Sequence, residues 1–491
     1  MTIFVYFEET IMLVDREREL DELNTLLKNP LARLLAVSGR RRLGKTTLLT
    51  HWARTSNHPY LYWVASHFPS SALLGQFSKE VWQLGNPSKH MPGSFSYDSW
   101  SEAFVALAAA CQGTQKHIVI MDEFPYAVDA EPGLPSALQN AWDHHLKFSN
   151  ICMVLCGSHV GMMDRLLGAD APLYGRMVGP LRIRPLPFKA VSDFLPSYDA
   201  EQRVAVYAIL GGVPAYLEEF SDELSLLENL REHLFREAGL FRTDPEYLIG
   251  EQVRDLKNYQ AILAAIAGGA RQPSDIALQA NMPHRSSADS YLAQLIEMDY
   301  VRRELPVTIE LKKRPSSRQS RYVLADNYLR FYFRFVRPNL SFLAQQMHDL
   351  VEERLAEQLR AFVGMTAFEE LCREWMLVQA RARRLPFLVE EIGSHWGGGV
   401  QVDVVAINWR EKAILLGEAK WQVDRVRQPV IQELVEQKTS RLLKTLPNEG
   451  QDWQVYYAFF ARTGFTNAAR AKATAAHALL VDLRQLDRDL A

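Results

Sequence analysis

Two sets of residues have the types and spacing to do chemistry. The first is a contiguous loop, Gly39, Arg40, Arg41, Arg42, Leu43, Gly44, Lys45, Thr46 and Thr47. It follows the apolar run Leu34-Leu35-Ala36-Val37 and leads into Leu48-Leu49, which predicts strand, glycine-bounded loop, then helix. That is the context of a phosphate-binding loop. Glycines let backbone N–H groups turn inward around phosphate oxygens, and the helix start adds its positive dipole end. Lys45 is placed to reach the β- and γ-phosphates, and Thr46 to offer its hydroxyl to Mg²⁺.

Further along, His117-Ile118-Val119-Ile120-Met121-Asp122-Glu123 is an apolar strand ending in two acids. Asp122 would hold Mg²⁺ through water, and Glu123 would polarise the attacking water as a general base. Alone, such a run is a weak signal; downstream of a complete phosphate loop it is a strong one. A third buried strand, Ile151-Cys152-Met153-Val154-Leu155-Cys156-Gly157, ends at Ser158, which is either a sensor of the γ-phosphate or a simple turn serine. Arg176, in Pro172-Leu173-Tyr174-Gly175-Arg176, is either an arginine finger or one half of a surface ion pair.

The second set lies near the C-terminus. Val400-Gln401-Val402-Asp403-Val404-Val405 and Ala413-Ile414-Leu415-Leu416-Gly417-Glu418-Ala419-Lys420 read as neighbouring strands joined by a turn. Side chains two apart share a face, so Glu418 and Lys420 project together and Asp403 can join them. Glu369, in a preceding helical stretch opened by Gly364, supplies a third acid. Carboxylates with a lysine are what metal-assisted phosphodiester hydrolysis uses, with Asp403 and Glu418 holding Mg²⁺ and Lys420 stabilising the developing charge. Glu-x-Lys by itself usually marks an exposed strand face, so the signal is the whole order of residues.

The rest of the chain must position these sets. With 491 residues, several domains are expected. A hydrophobic content of 48% and a charged content of 23% are ordinary for a globular protein, and a net charge of −3 leaves nucleic-acid contact to be argued locally. No apolar run approaches the ~18–20 residues that span a bilayer, so no membrane partner is expected. Cys111, Cys152, Cys156 and Cys372 show no paired spacing; they fit a reducing, cytoplasmic location. The first eleven residues carry Glu8 and Glu9 and no basic leader, and the readable pattern starts at Met12.

Val14-Asp15-Arg16-Glu17-Arg18-Glu19-Leu20 is expected to open a helix running through Leu23, Leu26 and Leu27, with Asp15 as its N-cap; it is either a solvated amphipathic helix or one that Arg16 and Glu19 fold over the nucleotide base. Helices are expected at 71–84 and 99–110, and a tight turn at Gly211-Gly212-Val213-Pro214. Residues 257–337 read as three helices and a two-stranded wing, with Ser274 capping the second helix. His284, Arg285 and Ser286 would open the recognition helix. The wing tip holds Lys312, Lys313, Arg314 and Arg318; it is either a DNA-phosphate contact or a solvated charged loop. The aromatic run Asn327-Tyr328-Leu329-Arg330-Phe331-Tyr332-Phe333 reads as packing between domains rather than a base-stacking platform.

In the order Val14-Asp15-Arg16-Glu17-Arg18-Glu19-Leu20, GRRRLGKTTLL, IVIMDEFPY, LCGS, PLYGR and GGVP, the first half resembles archaeal-type ATPases of the AAA/STAND P-loop superfamily. The resemblance implies an ASCE parallel-sheet core with a helical lid, an arginine finger at Arg176, a GGVP turn facing the nucleotide, and ATP and ADP as ligands. The last third is similar to the PD-(D/E)XK nuclease-like domain found behind such ATPases, with no acid of the signature replaced. The fold expected is therefore α/β and multidomain: an ATPase core over 12–186, a lid over 187–256, a winged helix-turn-helix over 257–339, and a restriction-endonuclease-like α/β domain over 340–491. The function implied is an ATP- and Mg²⁺-dependent switch for a DNA-cleaving domain, or a STAND-type regulatory ATPase that binds DNA or protein and cuts nothing. A finger acting on a neighbour's nucleotide would make the protein a homo-oligomer.

Overall fold

Strands buried on both faces read as continuous apolar runs, and β1 (Arg33–Ser38) is one between its polar ends: Leu34, Ala36 and Val37 are fully buried. In the computed structural model, which describes residues 13–490 other than 88, 90, 92, 94, 237, 238, 252 and 254, β1 sits inside a five-stranded sheet. Its partners are β2 (Tyr60–Val64), β3 (His117–Asp122), β4 (Ile151–Gly157) and β5 (Pro180–Arg182), in the order β2-β3-β4-β1-β5. All pairings are parallel. The N-terminal eleven residues and the proposed start at Met12 lie outside the described residues.

The order has one consequence for chemistry. Strand β4 lies between β1 and β3, so the loop after β1, the acids ending β3 and Ser158 after β4 all emerge along the same edge of the sheet. That edge, at the carboxyl ends of parallel strands, is where α/β sheets bind ligands. The helices Ser70–Gly85 and Trp100–Ala110 close one face through Trp63, Phe77, Trp100 and Phe104, with ring centroids 5.4–6.0 Å apart. All four cysteines are buried and free.

The N-terminal helix, Glu17–Lys28, differs from expectation at its start. Arg16, not Asp15, is the capping residue, and no side chain caps the helix. Arg16 is 5% exposed because its guanidinium is used elsewhere, as described below.

The chain divides into two compact units, one ending at Pro185 and one starting at Leu186. Within the second, Leu186 N–H donates to Gly212 O at 2.7 Å, holding the GGVP turn against the first residue of that unit. Helices Leu256–Ala267, Pro273–Gln279 and Arg285–Glu297 are followed by the antiparallel pair β6 (Val301–Glu304) and β7 (Arg321–Leu324). The middle helix starts at Pro273, with Gln272 as its cap and no side-chain cap bond, so Ser274 is not the N-cap expected. Proline, with φ preset and no N–H to leave unsatisfied, starts the helix at its own position, which puts Ser274 inside the first turn. Tyr328, Phe331, Tyr332 and Phe335 are buried, as packing rather than stacking groups.

A second five-stranded sheet is formed by β8 (Glu391–Gly397), β9 (Val400–Asn408), β10 (Ala413–Lys420), β11 (Gln454–Ala461) and β12 (Leu479–Asp482), in the order β12-β11-β10-β9-β8. β8, β9 and β10 are antiparallel neighbours, while β10, β11 and β12 run parallel. The connection between β6 and β7 folds onto the outer strand β8. Val307 N–H donates to Ser394 O at 3.1 Å, Thr308 Oγ1 meets His395 Nδ1 at 2.6 Å, and Arg314 grips Glu391 with two bonds of 2.8 and 2.6 Å.

Candidate functional site

The loop after β1 has the backbone of an anion nest. Arg42 and Gly44 take left-handed conformations, with φ of 67° and 77°, and Gly44 caps the helix Lys45–Thr55. Lys45 is 6% exposed and its ammonium donates to Arg40 O at 3.0 Å. Burial pushes its pKa below the ordinary lysine value, against the attraction of Glu123 and Asp122. The buried Arg16 braces the loop from behind, donating to Leu43 O at 3.0 Å, to Arg184 O at 2.9 Å and to Glu19 at 2.9 Å. Its role is thus to hold loop backbone, which the sequence placed only loosely near the nucleotide.

Asp122 is 2% exposed and heavily bonded: Thr46 Oγ1 donates at 2.8 Å, Tyr62 OH at 2.5 Å and Glu123 N–H at 2.9 Å. Burial, then the Asp122 charge, raise the Tyr62 phenol above its ordinary value, so it stays a donor. Glu123 follows with φ 49°, left-handed for a non-glycine residue. Such conformations cost about 1–3 kcal/mol and persist at functional positions. Its carboxylate accepts from Ser158 Oγ at 2.5 Å and Ser158 N–H at 3.3 Å. Ser158 therefore orients Glu123. Arg41 donates to Tyr126 OH. Tyr62 is a site residue that no motif announces, while Tyr126 ends the IVIMDEFPY run.

Arg176 pairs with Asp143 through two bonds of 3.0 and 2.6 Å and also donates to Pro172 O and Tyr174 O. In this arrangement it is the ion pair of the two alternatives, and a finger role requires its release from Asp143.

In the second unit, the sheet brings the second set together. Gly417 pairs with Val404 across β10 and β9, so Asp403 lies opposite Glu418. Asp403 Oδ2 accepts from Ala419 N–H at 3.1 Å, and Lys420 Nζ lies 3.3 Å from Glu418. Glu369 enters from the helix Glu369–Arg381, which continues a π-helical turn, Gly364–Phe368. Gly364 is needed there: a Cβ would fall 2.8 Å from the Trp421 side chain, and Phe368 packs at a tilt against the same indole, with centroids 4.9 Å apart. Gly364 and Phe368 thus dock the helix beside the end of β10. π turns of this kind recur at functional sites.

The acids strain against each other. Burial and then the Asp403 charge push Glu369 up to about 8 and also raise Glu418. Lys438, closing a second π-helical turn (Glu433–Lys438), donates to both Glu418 oxygens at 2.9 Å. Arg373 donates to Asp403 O at 2.9 Å. Among the described residues, no group of three or more His, Cys, Asp or Glu is arranged to hold a metal ion. Among them, too, no helix is long and apolar enough to cross a membrane.

The wing tip is less available than its composition suggested. Arg314 is committed to Glu391, and Lys312 and Lys313 pair with Glu310 at 3.1 and 2.6 Å. The expected contact surface at the tip is thereby partly neutralised.

Comparison with known proteins bears on the first part of the chain and on its C-terminal part. Residues 13–220 match the model of an ATPase domain predominantly from Archaea. Residues 332–431 match a family of archaeal and bacterial proteins of unknown function. An uncharacterized protein of Methanocaldococcus jannaschii is 29% identical over 454 residues, 92% of this chain and 96% of its own length. Among solved structures, a Walker-type ATPase of Pyrococcus abyssi is similar with a TM-score of 0.50 and 20% identity, over 66% of this chain and 96% of that one. The ORC2 protein of Aeropyrum pernix is similar with a TM-score of 0.44 and 15% identity, over 68% and 96%. The first unit carries a P-loop ATPase domain of the archaeal type; the C-terminal part is a mixed-sheet α/β domain.

Proposed function

We propose that the chain is an Mg²⁺-dependent ATPase whose nucleotide state governs a C-terminal domain that binds DNA and hydrolyses its phosphodiester bonds. The observation that carries the first half is the Thr46–Asp122–Tyr62 network beside the Lys45 loop. Thr46 and Asp122 offer hard oxygen donors 2.8 Å apart, a set that suits Mg²⁺, which keeps most of its waters and takes one carboxylate plus substrate phosphates. When bound, the ion would neutralise charge on the β- and γ-phosphates. Lys45 binds the same phosphates, the loop backbone holds them in line, and Glu123, set by Ser158, takes the proton of the attacking water. Tyr62 keeps the Asp122 carboxylate turned to Thr46. Its replacement, Tyr62→Phe, is expected to raise the Mg²⁺ concentration for half-maximal ATP turnover by about 10–100-fold, with ATP binding in the absence of metal unchanged. Steady-state ATPase assays over a magnesium series check it.

The second half rests on Asp403, Glu418 and Lys420 converging at the end of two buried strands, with Glu369 beside them. Charges in such strands are costly without a partner or a task. Asp403 and Glu418 would hold the divalent ion and Lys420 would meet the scissile phosphate. The winged helix-turn-helix reading of residues 257–339 adds Arg285 and the wing lysines as backbone contacts. The test is cleavage of single-stranded, duplex and branched DNA with Mg²⁺ or Mn²⁺, without nucleotide, with ATP and with a non-hydrolysable analogue. Cutting that falls to background in Asp403→Ala supports the nuclease; absence of cutting in every condition, with ATP turnover intact, removes it.

One observation favours a second reading. Lys438 already neutralises Glu418 through both oxygens, which suits a regulatory ATPase whose C-terminal domain binds a partner and cuts nothing. Lys438→Ala separates the two. A nuclease restrained by this ammonium gains metal-dependent cutting, whereas a binding domain gains none.

A further inference from the structure

Within the second unit, a cavity of about 490 Å³ opens between the three-helix segment, the β6–β7 pair, the helix leading to Glu369 and strand β8. The volume falls in the ~300–1,000 Å³ range of small-ligand pockets. Five arginines line it, Arg271, Arg321, Arg330, Arg334 and Arg373, against three glutamates, Glu304, Glu369 and Glu370. The glutamates are already served. Arg330 and Arg302 each hold Glu370 at 2.8 Å, Arg302 also lies 3.5 Å from Glu304, and Arg373 lies 4.0 Å from Glu369.

Arg271, Arg321 and Arg334 are the remainder. None has a carboxylate within ion-pair distance among the described residues. Their hydrogen bonds are to neutral groups and long: Ile266 O at 3.5 Å, Gln401 at 3.5 Å and Gln358 at 3.3 Å. Three guanidinium groups from three separate segments thus face one cavity without an ion pair of their own, with the Glu304 carboxylate attracting Arg271 and Arg321 only from a distance. Half-buried like charges repel, and burial followed by the neighbouring Arg330 pulls the Arg271 pKa below its ordinary value. The Arg321 Cζ lies over the Trp396 ring, 4.5 Å from its centroid, a cation–π contact that holds the guanidinium at the cavity wall. Phe335 and Phe362 supply an apolar wall. Fixed arginine forks beside aromatic faces are the chemistry that recognises phosphate attached to a base.

We propose that this cavity is a binding site for a nucleotide-sized phosphate ester, held by Arg271, Arg321 and Arg334. A free nucleotide and the unpaired end of a nucleic-acid strand share that chemistry. The site does not require the neighbouring acids to cut.

The test is calorimetric titration of the full chain carrying Lys45→Ala, which removes the P-loop from the count. The probes are ATP, a 5′-phosphorylated dinucleotide and a short 5′-phosphorylated single strand, each beside its unphosphorylated counterpart. At least one phosphorylated probe is expected to bind, more weakly as salt rises, and at least tenfold more weakly after Arg271→Gln or Arg321→Gln. Binding of the free nucleotides alone assigns an effector, and of the strand alone a nucleic-acid end; either supports the site. Arg334 is exposed, so Arg334→Gln leaves the fold intact and supplies the variant if the other two unfold. The proposal is overturned if no phosphorylated probe binds, if binding ignores the phosphate, or if Arg334→Gln and the folded arginine variants leave the affinity unchanged. Cleavage is not read, so failure of the nuclease reading leaves this result standing.

Discussion

Glu123→Gln lowers ATP turnover by about 10²–10⁴-fold while ATP still binds. The amide keeps the size of the side chain and one acceptor for Ser158, so the loop, Lys45 and Asp122 stay as they are. What goes is the basic oxygen that receives the proton. The geometry makes this separation clean, because Glu123 is bonded by Ser158 and not by Lys45 or Thr46. Turnover assays beside nucleotide binding by fluorescence decide it. A Glu123→Gln chain that hydrolyses ATP at the parental rate sinks the assignment and moves the base elsewhere. Ser158→Ala gives a smaller loss in the same assay, since it frees the carboxylate without removing it.

The second large effect is on stability. Arg330 is 9% exposed and donates to Leu324 O at 2.8 Å, Thr366 O at 3.2 Å and Glu370 at 2.8 Å. It thereby joins strand β7, the aromatic helix and the helix that carries Glu369. Arg330→Ala leaves two carbonyls without their partner and the half-buried Glu370 with Arg302 alone, at a cost of about 3 kcal/mol in the unfolding free energy of this unit. Burial alone would raise Glu370; Arg330 and Arg302 overcome it and hold the carboxyl down at about 2. A carboxylate lowered in the folded state adds stability above its unfolded pKa, and that stability is lost as pH falls through the folded value. Urea denaturation of the parent should therefore show stability rising between about pH 2 and the ordinary glutamate range. In Arg330→Ala that rise flattens, because only the half-exposed Arg302 remains. An unchanged urea midpoint in the variant rejects the bracing role.

The ATPase site was legible because its parts are local. Residues 39–47 carry their own backbone geometry, and the strand of four apolar residues before Asp122 fixes where the acids emerge. Tyr62 was not legible as a site residue, and Arg16, expected over the nucleotide base, instead holds loop backbone. Tyr62 reaches Asp122 only because β2 pairs with β3, and Arg16 reaches Leu43 across 27 residues of chain. The same limit shaped the C-terminal cluster. Asp403, Glu418 and Lys420 follow from strand alternation, and Gly364 and Phe368 from their docking on Trp421. The grip of Lys438 on Glu418 needs the helix position and could not be read from spacing. The wing tip, read either as a DNA-phosphate contact or as a solvated charged loop, met a related limit: Glu391, which takes Arg314, lies 77 residues away.

That docked connection has a further meaning for the C-terminal sheet. An outer strand offers unpaired N–H and C=O groups to any other strand, including that of another molecule. Here one margin, β12, is only four residues long, and the other, β8, is shifted in register between Gly393 and His395 and covered by the segment from Val307 to Arg314. The basic tip thus guards this chain against edge-to-edge aggregation. Loosening it through Arg314 would expose a ready template for fibril-like pairing before it disturbed either chemical site.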